Sequence, residues 1–294
     1  MIVLSESTEQ IERSPSANEN KLMTDAAQLL GCKVYHIPRD FERCGKAENA
    51  LWHIPNYPQE TAAIWIGYIP EFERYEAIYQ AALAKGIKLI NTPLEHRTAL
   101  EFDLFYPPLK GLTPDSLVIT STNECIEAGE LLGFPVFVKG AVQSRKIQGW
   151  ESCVANNQEE LLRLTKRLLK LKYYSRGRVI VRKLAKLWHK RLAPNGFPMG
   201  REFRCFIYNQ EILKYGYYWH DKDDFSKLSK EEEKQVLSLA VIASQRLKVP
   251  YLAIDIGQLE SGEWIVIETA DAQFAGLCQI PALELWNKLK DISY

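Results

Sequence analysis

Two apolar segments near the end of the sequence place the strongest constraint on the fold. Residues 251–258 and 263–269 both have the composition of strands, and a Ser-Gly pair at 261–262 lies between them. This pattern predicts an antiparallel hairpin with a two-residue turn. Pairing counted from that turn places Asp255 directly opposite Glu268 on the same face, with Cβ atoms roughly 5 Å apart.

Two facing carboxylates among Ile, Val and Leu side chains require a charge partner. Burying both is costly unless a cation lies between them. A hard divalent ion such as Mg²⁺ takes oxygen ligands and leaves positions open for phosphate. Asp271 follows the second strand closely enough to reach the same point, so Asp255, Glu268 and Asp271 are the candidate metal ligands. The alternative interpretation is a solvated pair on an exposed face of the hairpin.

The basic residues are unevenly distributed along the chain. Between Leu161 and Arg201 there is no Asp or Glu, although the whole chain balances 37 basic against 37 acidic residues. This balance argues against a partner chosen by global charge, such as nucleic acid or an anionic membrane. Lys139, Arg182 and Arg204 lie within or at the end of apolar strands, where a cation needs a partner. Each of these cations taken alone could belong to a structural ion pair. The three cations taken together with the three carboxylates suit a metal–triphosphate site.

The first third of the chain alternates between strands and helices, which predicts a parallel α/β layer. The predicted strands are 2–4, 33–36, 62–68 and 87–90, and the predicted helices are 21–30 and 72–84. Residues 106–113 are rich in turn-forming residues and mark a boundary. The remainder is α+β, with helices predicted at 125–132, 157–171 and 229–246 and strands at 134–139, 179–184, 203–208 and 211–217. The aromatic stretch 215–220 is interpreted as a strand packed in the core, with a substrate-pocket wall as the alternative.

Several common functional classes find no support in the sequence. The six cysteines form no Cys-x-x-Cys pair, which is typical of reduced thiols and favours the cytoplasm. No segment approaches the roughly 20 apolar residues of a membrane span, and the first residues do not resemble a signal peptide. Neither a P-loop nor a Gly-x-Gly-x-x-Gly motif is present, so these two routes to nucleotide binding are not expected.

The order of the motifs resembles the ATP-grasp superfamily, and within it the clade named for two arginines and a lysine. The segments that carry the resemblance are Phe134-Pro-Val-Phe-Val-Lys139-Gly140, Val179-Ile-Val-Arg182, Arg201-Glu-Phe-Arg204-Cys-Phe-Ile, Ala-Ile-Asp255 and Val-Ile-Glu268-Thr-Ala-Asp271. The resemblance covers the chain from about residue 62 to 276. It implies an ATP-grasp fold, in which two α+β subdomains clamp ATP, preceded by a pre-ATP-grasp α/β domain. The implied boundaries are 1–112 for the first domain, 113–184 for the first subdomain and 185–294 for the metal-binding subdomain.

The resemblance also implies roles for individual residues. Lys139, and Lys146 in the loop 140–149, would contact the nucleotide phosphates, and the strand ending in Lys183 and Leu184 would run along the adenine. Arg182 would point to phosphate or substrate, and Arg204 would stabilise the transferred phosphoryl group. The metal ligands Asp255, Glu268 and Asp271 would hold one or two Mg²⁺ ions.

One position departs from the pattern of the superfamily. Many ATP-grasp enzymes have Asn two residues after the metal-binding Glu, where this chain has Ala270. Asp271 is expected to take that role, and if it does not, the site would bind nucleotide without turning it over.

The implied function is an ADP-forming ligase that depends on ATP and Mg²⁺. It would activate a carboxylate as an acyl phosphate and transfer the acyl group to an amine, forming an amide or peptide bond. The expected partners are a small molecule or peptide bearing the carboxylate, and an amine acceptor. The alternatives are a non-catalytic ATP-binding module and a kinase acting on a hydroxyl. Neither a membrane nor a nucleic acid is expected as a partner.

Overall fold

The computed structural model of the protein describes residues 1–7, 14–219 and 224–292. Its first sheet is parallel and has the strand order β2-β1-β3-β4. These strands are β1 (Ile2–Ser5), β2 (Lys33–His36), β3 (Thr61–Ile66) and β4 (Ile87–Leu89), and the helices between them are α1 (Pro15–Leu29), α2 (Ala47–Ala50) and α3 (Phe72–Leu83). The predicted parallel layer is therefore confirmed.

Helix α1 begins earlier than the hydrophobic pattern predicts. Ser14 is its N-cap, with the side-chain oxygen accepting a hydrogen bond from the backbone N–H of Ala17, and Pro15 takes the first helical position. Both residues favour a helix start because they satisfy or remove donors that have no partner within the helix. The first turn of α1 is polar, and a search for apolar periodicity therefore overlooks it.

Two helices that the sequence analysis does not predict lie before the second sheet, and the later one extends into the predicted turn-rich boundary 106–113. Helix α4 (Pro93–Leu100) starts at a capping box made by Thr92 and Glu95. Helix α5 (Phe102–Leu109) continues through Pro107 and Pro108. Prolines remove backbone donors from the last turn, so the helix ends soon after them. The boundary expected from residue 106 therefore begins only after Leu109.

The second sheet is antiparallel and has the order β5-β8-β6-β7. Its strands are β5 (Ser116–Ile119), β6 (Val136–Gly140), β7 (Val154–Ala155) and β8 (Val179–Lys183), with α6 (Cys125–Leu132), α7 (Gln158–Lys170) and α8 (Lys172–Ser175) between them. The apolar residues of α6 and α7 pack on one face of this sheet. The other face is left for the cleft described below.

The third sheet is antiparallel and has the order β12-β11-β13-β14. A small hairpin of β9 (His189–Leu192) and β10 (Pro198–Gly200) precedes β11 (Glu202–Tyr208), β12 (Glu211–Tyr217), helix α9 (Lys230–Leu247), β13 (Tyr251–Gln258), β14 (Trp264–Asp271) and α10 (Ala282–Leu289). The β11–β12 turn has positive φ at Asn209 (45°) and Gln210 (71°), as two-residue hairpin turns require.

Helix α9 packs on one face of the third sheet. On the opposite face, residues of β11 and β13 share a core with α1, α10 and the first sheet. The start and the end of the chain are thus joined in one hydrophobic core. The predicted division at 112/113 and 184/185 falls between the sheets and stays a prediction. Among the described residues, no helix is both long and apolar enough to cross a membrane.

Candidate active site

A cleft of about 380 Å³ lies between the second and third sheets. Its volume falls within the range of small-molecule sites. Six of the predicted site residues line it: Lys139, Lys146, Arg182, Lys183, Leu184 and Glu268. Asp255 and Arg204 lie beside it on the third sheet, and Asp271 does not join them.

The register of the last hairpin confirms that Asp255 lies opposite Glu268. The pairing is as predicted, but the predicted two-residue turn is wrong. Gln258 pairs with Trp264, and the loop ends at Gly262, whose φ of 92° suits a three-residue hairpin loop. A β-bulge at Ile267 then adds one residue to β14. The two departures cancel, and the carboxylates face each other as predicted.

Glu268 forms an ion pair with Lys139 across the cleft. Lys139 is buried, at 3% exposure, and comes from β6 of the second sheet. Burial alone would raise the pKa of the Glu268 carboxyl, but the positive charges of Lys139 and Lys146 outweigh it and lower that pKa. Glu268 therefore stays ionised, with a cation already against it.

Asp255 is paired with Arg204, which lies directly opposite it on β11. The Nε and Nη2 atoms of Arg204 each donate to a different oxygen of Asp255 at 2.8 Å, and Nη1 donates to the carbonyl oxygen of Gly276 at 2.8 Å. Such a bidentate pair is geometrically specific and strong. The guanidinium predicted to face a transferred phosphoryl group is thus held by a carboxylate on its own sheet.

Arg182 connects the second sheet to the bulge on the third. Its Nη1 donates to the carbonyl oxygen of Ile267 at 2.7 Å, and its Nη2 donates to Thr113 Oγ1 at 2.5 Å and to the carbonyl oxygen of Val266 at 3.2 Å. Burial lowers the pKa of Arg182 to about 10. The buried Nε atom has no hydrogen-bond partner among the described residues. Arg182 lines the cleft and also binds the backbone at Val266 and Ile267, which we call the floor of the cleft.

Lys146 reaches the cleft from the loop after β6. Its Nζ donates to the hydroxyl of Tyr218 at 2.8 Å and lies 4.5 Å from the centre of that ring. Tyr218 belongs to the aromatic stretch interpreted as core. Tyr217 is buried there as predicted, whereas Tyr218 contacts the site. His220, in the same stretch, lies outside the described residues.

The rim of the cleft is closed by contacts between this loop and the β9–β10 hairpin. Asn195 Nδ2 donates to the carbonyl oxygens of Lys146 (3.0 Å) and Ile147 (2.9 Å), and both hydrogen bonds are exposed. The rings of Trp150 and Phe197 lie 5.8 Å apart beside them. These contacts join two surface segments across the opening.

The expectation that Asp271 reaches the other two carboxylates is wrong. Asp271 is the last residue of β14 and pairs with Leu252, so strand alternation puts it on the face opposite to Glu268. Its oxygens accept from Asn91 Nδ2 at 2.9 Å and from His96 Nδ1 at 2.8 Å, and it is fully buried. The position on the Glu268 face is Ala270, whose side chain carries no oxygen.

Glu202 is a site residue that the sequence reasoning did not select. It lies on the same face of β11 as Arg204 and lines the cleft at 4% exposure. Burial raises the pKa of its carboxyl to about 7, and the negative charges of Asp255 and Glu268 add to the rise against the opposing charge of Lys146. The sequence contained the information needed to select Glu202, because it lies two residues before Arg204 and residues two apart on a strand share a face.

The donor set fits one Mg²⁺ ion. No group of three His, Cys, Asp or Glu side chains converges on a point within the described parts of the chain. Mg²⁺ is commonly bound by one or two carboxylates, with phosphates and waters completing its shell. Asp255 and Glu268 are the two carboxylates that would hold it, and the cationic side chains around them are suited to phosphates.

Several solved structures share the fold of this chain. A RimK domain ATP-grasp protein from Sphaerobacter thermophilus is 13% identical, with a TM-score of 0.64 over 99% of this chain and 98% of that chain. D-alanine–D-alanine ligase from Bacillus anthracis, complexed with ATP, is 15% identical, with a TM-score of 0.68 over 99% and 95%. The ATP-grasp ligase PsnB, complexed with minimal precursor, Mg and ADP, is 14% identical, with a TM-score of 0.55 over 98% of each chain. These likenesses establish the ATP-grasp fold.

The family follows from the sequence of the same region. Residues 127–289, more than half of the chain, match the model of an ATP-grasp domain, family 3 of the clade named for two arginines and a lysine. The chain therefore belongs to this family, as the resemblance predicted. A comparison with curated protein sequences finds no significant match.

Proposed function

We propose that this protein is an ADP-forming ligase that depends on ATP and Mg²⁺ and joins a carboxylate to an amine. One observation carries the proposal: Lys139 of the second sheet reaches across the cleft to Glu268 of the third sheet, and Glu268 lies opposite a second carboxylate, Asp255. This is the charge arrangement that a metal–polyphosphate substrate requires. The proposed compartment is the cytoplasm.

The adenine is assigned to the segment that follows β8. Lys183 and Leu184 line the cleft there together with Leu187. The backbone N–H groups of residues 184–186 donate no hydrogen bond to the described parts of the protein. Unused backbone N–H groups beside apolar side chains suit a flat base with acceptors on its rim.

The phosphates are assigned to the opposite end of the cleft. Lys139 and Lys146 line it with ammonium groups that can approach phosphate oxygens, and Arg182 lines the cleft with them. Arg204 is proposed to act on the transferred phosphoryl group only when its pairing with Asp255 is rearranged.

Asp255 and Glu268 are the proposed metal ligands, and Asp271 is not included. When bound, Mg²⁺ neutralises phosphate charge and orients the terminal phosphate. The side chains of the protein supply the remaining electrostatics. Lys139 and Lys146 shield the repulsion between the incoming carboxylate and the phosphate, an effect of about 4 kcal/mol per contact at 4 Å and an effective dielectric near 20, before desolvation.

The reaction proceeds in two displacements. A carboxylate oxygen of the first substrate attacks the terminal phosphorus, and ADP leaves. The amine then attacks the acyl carbon, phosphate leaves with the C–O electron pair, and the amine nitrogen loses a proton. Phosphorylation is needed because an oxide ion is a very poor leaving group from a carboxylate, whereas phosphate is a good one.

The proposal is tested by incubating the protein with ATP, Mg²⁺ and mixed carboxylic acids in the presence of hydroxylamine. An acyl phosphate is trapped as a hydroxamate, and ADP is released in equal amount. Glu268→Gln should abolish both products, and Glu284→Gln, which alters an exposed carboxylate on α10, should leave them unchanged.

A non-catalytic nucleotide-binding module is the second candidate. Ala270 offers no metal ligand, and the available carboxylates are already paired with cations. ATP binding without ADP formation for any acceptor pair would favour this candidate over the ligase.

A further inference from the structure

The two carboxylates of the cleft are each neutralised by a cation of the protein itself. Arg204 donates to both oxygens of Asp255 at 2.8 Å. Lys139 is paired with Glu268. The positions that a metal ion would approach therefore hold two positive side chains.

The two ion pairs differ in their connections. Arg204 is fixed by a third hydrogen bond, to the carbonyl oxygen of Gly276, and lies on the same sheet as its partner. Lys139 crosses from the second sheet to the third, and no other hydrogen bond of its ammonium group is found among the described residues. Lys139 is also the cation that lines the cleft beside the proposed phosphate position. Of the two, Lys139 can be transferred more easily from a carboxylate to a phosphate.

We propose that Lys139 is an internal counter-ion that occupies the metal position at Glu268 until nucleotide and metal bind together. This inference rests on the proposed nucleotide and Mg²⁺ site. A metal ion alone meets the ammonium group of Lys139, and nucleotide alone must take Lys139 away from Glu268 and leave a half-buried carboxylate without that partner. When both bind, the metal replaces Lys139 at Glu268, and Lys139 turns to the phosphates. The binding of metal and nucleotide is therefore positively coupled through one side chain.

The coupling predicts that removing the charge of Lys139 has opposite effects on nucleotide affinity and on metal affinity. Removing a positive charge from the cleft should weaken nucleotide binding, because a phosphate contact is lost. The same change should strengthen metal binding in the absence of nucleotide, because the competing cation is gone. Site-to-site couplings are typically on the order of 5- to 150-fold in affinity, and the gain in metal affinity should lie in this range.

The test uses Mn²⁺ as the probe and counts free Mn²⁺ by electron paramagnetic resonance, with no catalysis involved. Lys139→Gln should bind Mn²⁺ on the order of tenfold or more tightly than the wild type in the absence of nucleotide. Lys139→Met is a second variant, in case the first folds poorly. The double variant Lys139→Gln/Glu268→Gln should lose the gain. Lys214→Gln removes the lysine of an exposed Lys–Glu pair outside the cleft and should leave Mn²⁺ affinity unchanged.

ADP affinity, measured by calorimetry with and without Mn²⁺, separates this inference from the proposed function. If the wild type binds ADP with Mn²⁺ but the two Lys139 variants bind Mn²⁺ no tighter than it does, the counter-ion inference is overturned and the nucleotide site stands. If the wild type binds no ADP under either condition, the proposed function fails, and the transfer of Lys139 to phosphate fails with it.

Discussion

Glu101 is a buried carboxylate whose removal should clearly lower the stability of the fold. It lies between α4 and α5 and receives hydrogen bonds from Arg97 (3.0 and 3.0 Å), Arg176 (2.8 Å) and Arg178 (2.7 Å). Arg178 also pairs with Asp103. These contacts tie the helices before the second sheet to the turn that precedes β8.

The magnitude follows from the pKa of the Glu101 carboxyl. Burial alone would raise it, but the hydrogen bonds and charges of Arg97 and Arg178 lower it from 4.5 to about 2. Because one pKa unit is worth roughly 1.4 kcal/mol, ionised Glu101 contributes roughly 3 kcal/mol to the free energy of unfolding at neutral pH. The folded protein binds the proton less tightly than the unfolded chain. The contribution is therefore complete above pH 4.5 and is lost as the pH falls towards 2.

Glu101→Gln should lower the free energy of unfolding by up to about 3 kcal/mol at pH 7. Urea titrations followed by circular dichroism, for both proteins from about pH 7 to about pH 2.5, measure the difference. This difference should shrink steadily below pH 4.5. Glu284→Gln is the matched control, because its pair with Lys214 is exposed and such pairs contribute about 0–1 kcal/mol. A Glu101→Gln variant as stable as the wild type at pH 7, or a difference independent of pH, would refute the reasoning.

Three further results are expected. Asp271→Asn should lower the free energy of unfolding by about 1–3 kcal/mol through its buried hydrogen bonds, and it should leave Mn²⁺ affinity unchanged; loss of metal binding with full stability would return Asp271 to the metal site. Gly140→Ala should lower the thermal midpoint, because its Cβ would overlap the carbonyl oxygen of Tyr174, whereas the Cβ of Gly177→Ala meets no atom within 4 Å and should show only the smaller strain of its positive φ. Mg·ATP should raise the thermal midpoint more than Mg·GTP, because the backbone after β8 is assigned to adenine. The shift should be measurable, since a ligand at about 100 times its Kd adds about 2.7 kcal/mol. Equal shifts for the two nucleotides would contradict the assignment of the adenine.

Local sequence patterns predicted the elements whose hydrophobic period is clear. The facing pair Asp255 and Glu268 was found because strand alternation and a turn are short-range features. The bulge at Ile267 was not found, because the extra residue is stabilised by Arg182, which is distant in sequence. A correct pairing was thus reached from an incorrect turn, which shows that register is set by long-range contacts as well as by the loop.

The misplacement of Asp271 has a different physical origin. A carboxylate three residues after another looks as if it could reach the same ion, but in a strand an odd separation places it on the opposite face. The partners that bury Asp271, His96 and Asn91, lie some 180 residues away in the chain, and no local pattern predicts them. Helix α5 was overlooked for a local reason, because Pro107 and Pro108 lie in its last turn and have the composition of a loop.

The bulge at Ile267 also determines how a ligand gains access to the cleft. Arg182 binds the carbonyl oxygen of Ile267, and Thr113 Oγ1 donates to that of Val266 at 2.8 Å. The second sheet and the segment before it are thus joined to the third sheet at the floor by buried and part-buried hydrogen bonds. In the described residues, the rim is held by the two exposed hydrogen bonds of Asn195 and by the contact between the rings of Trp150 and Phe197. Exposed contacts break far more often than buried ones. A nucleotide should therefore enter and leave by separation of the rim, while the sheets keep their relative position. The rate of its release should depend on the side chain at position 195, whereas the shape of the cleft floor should not.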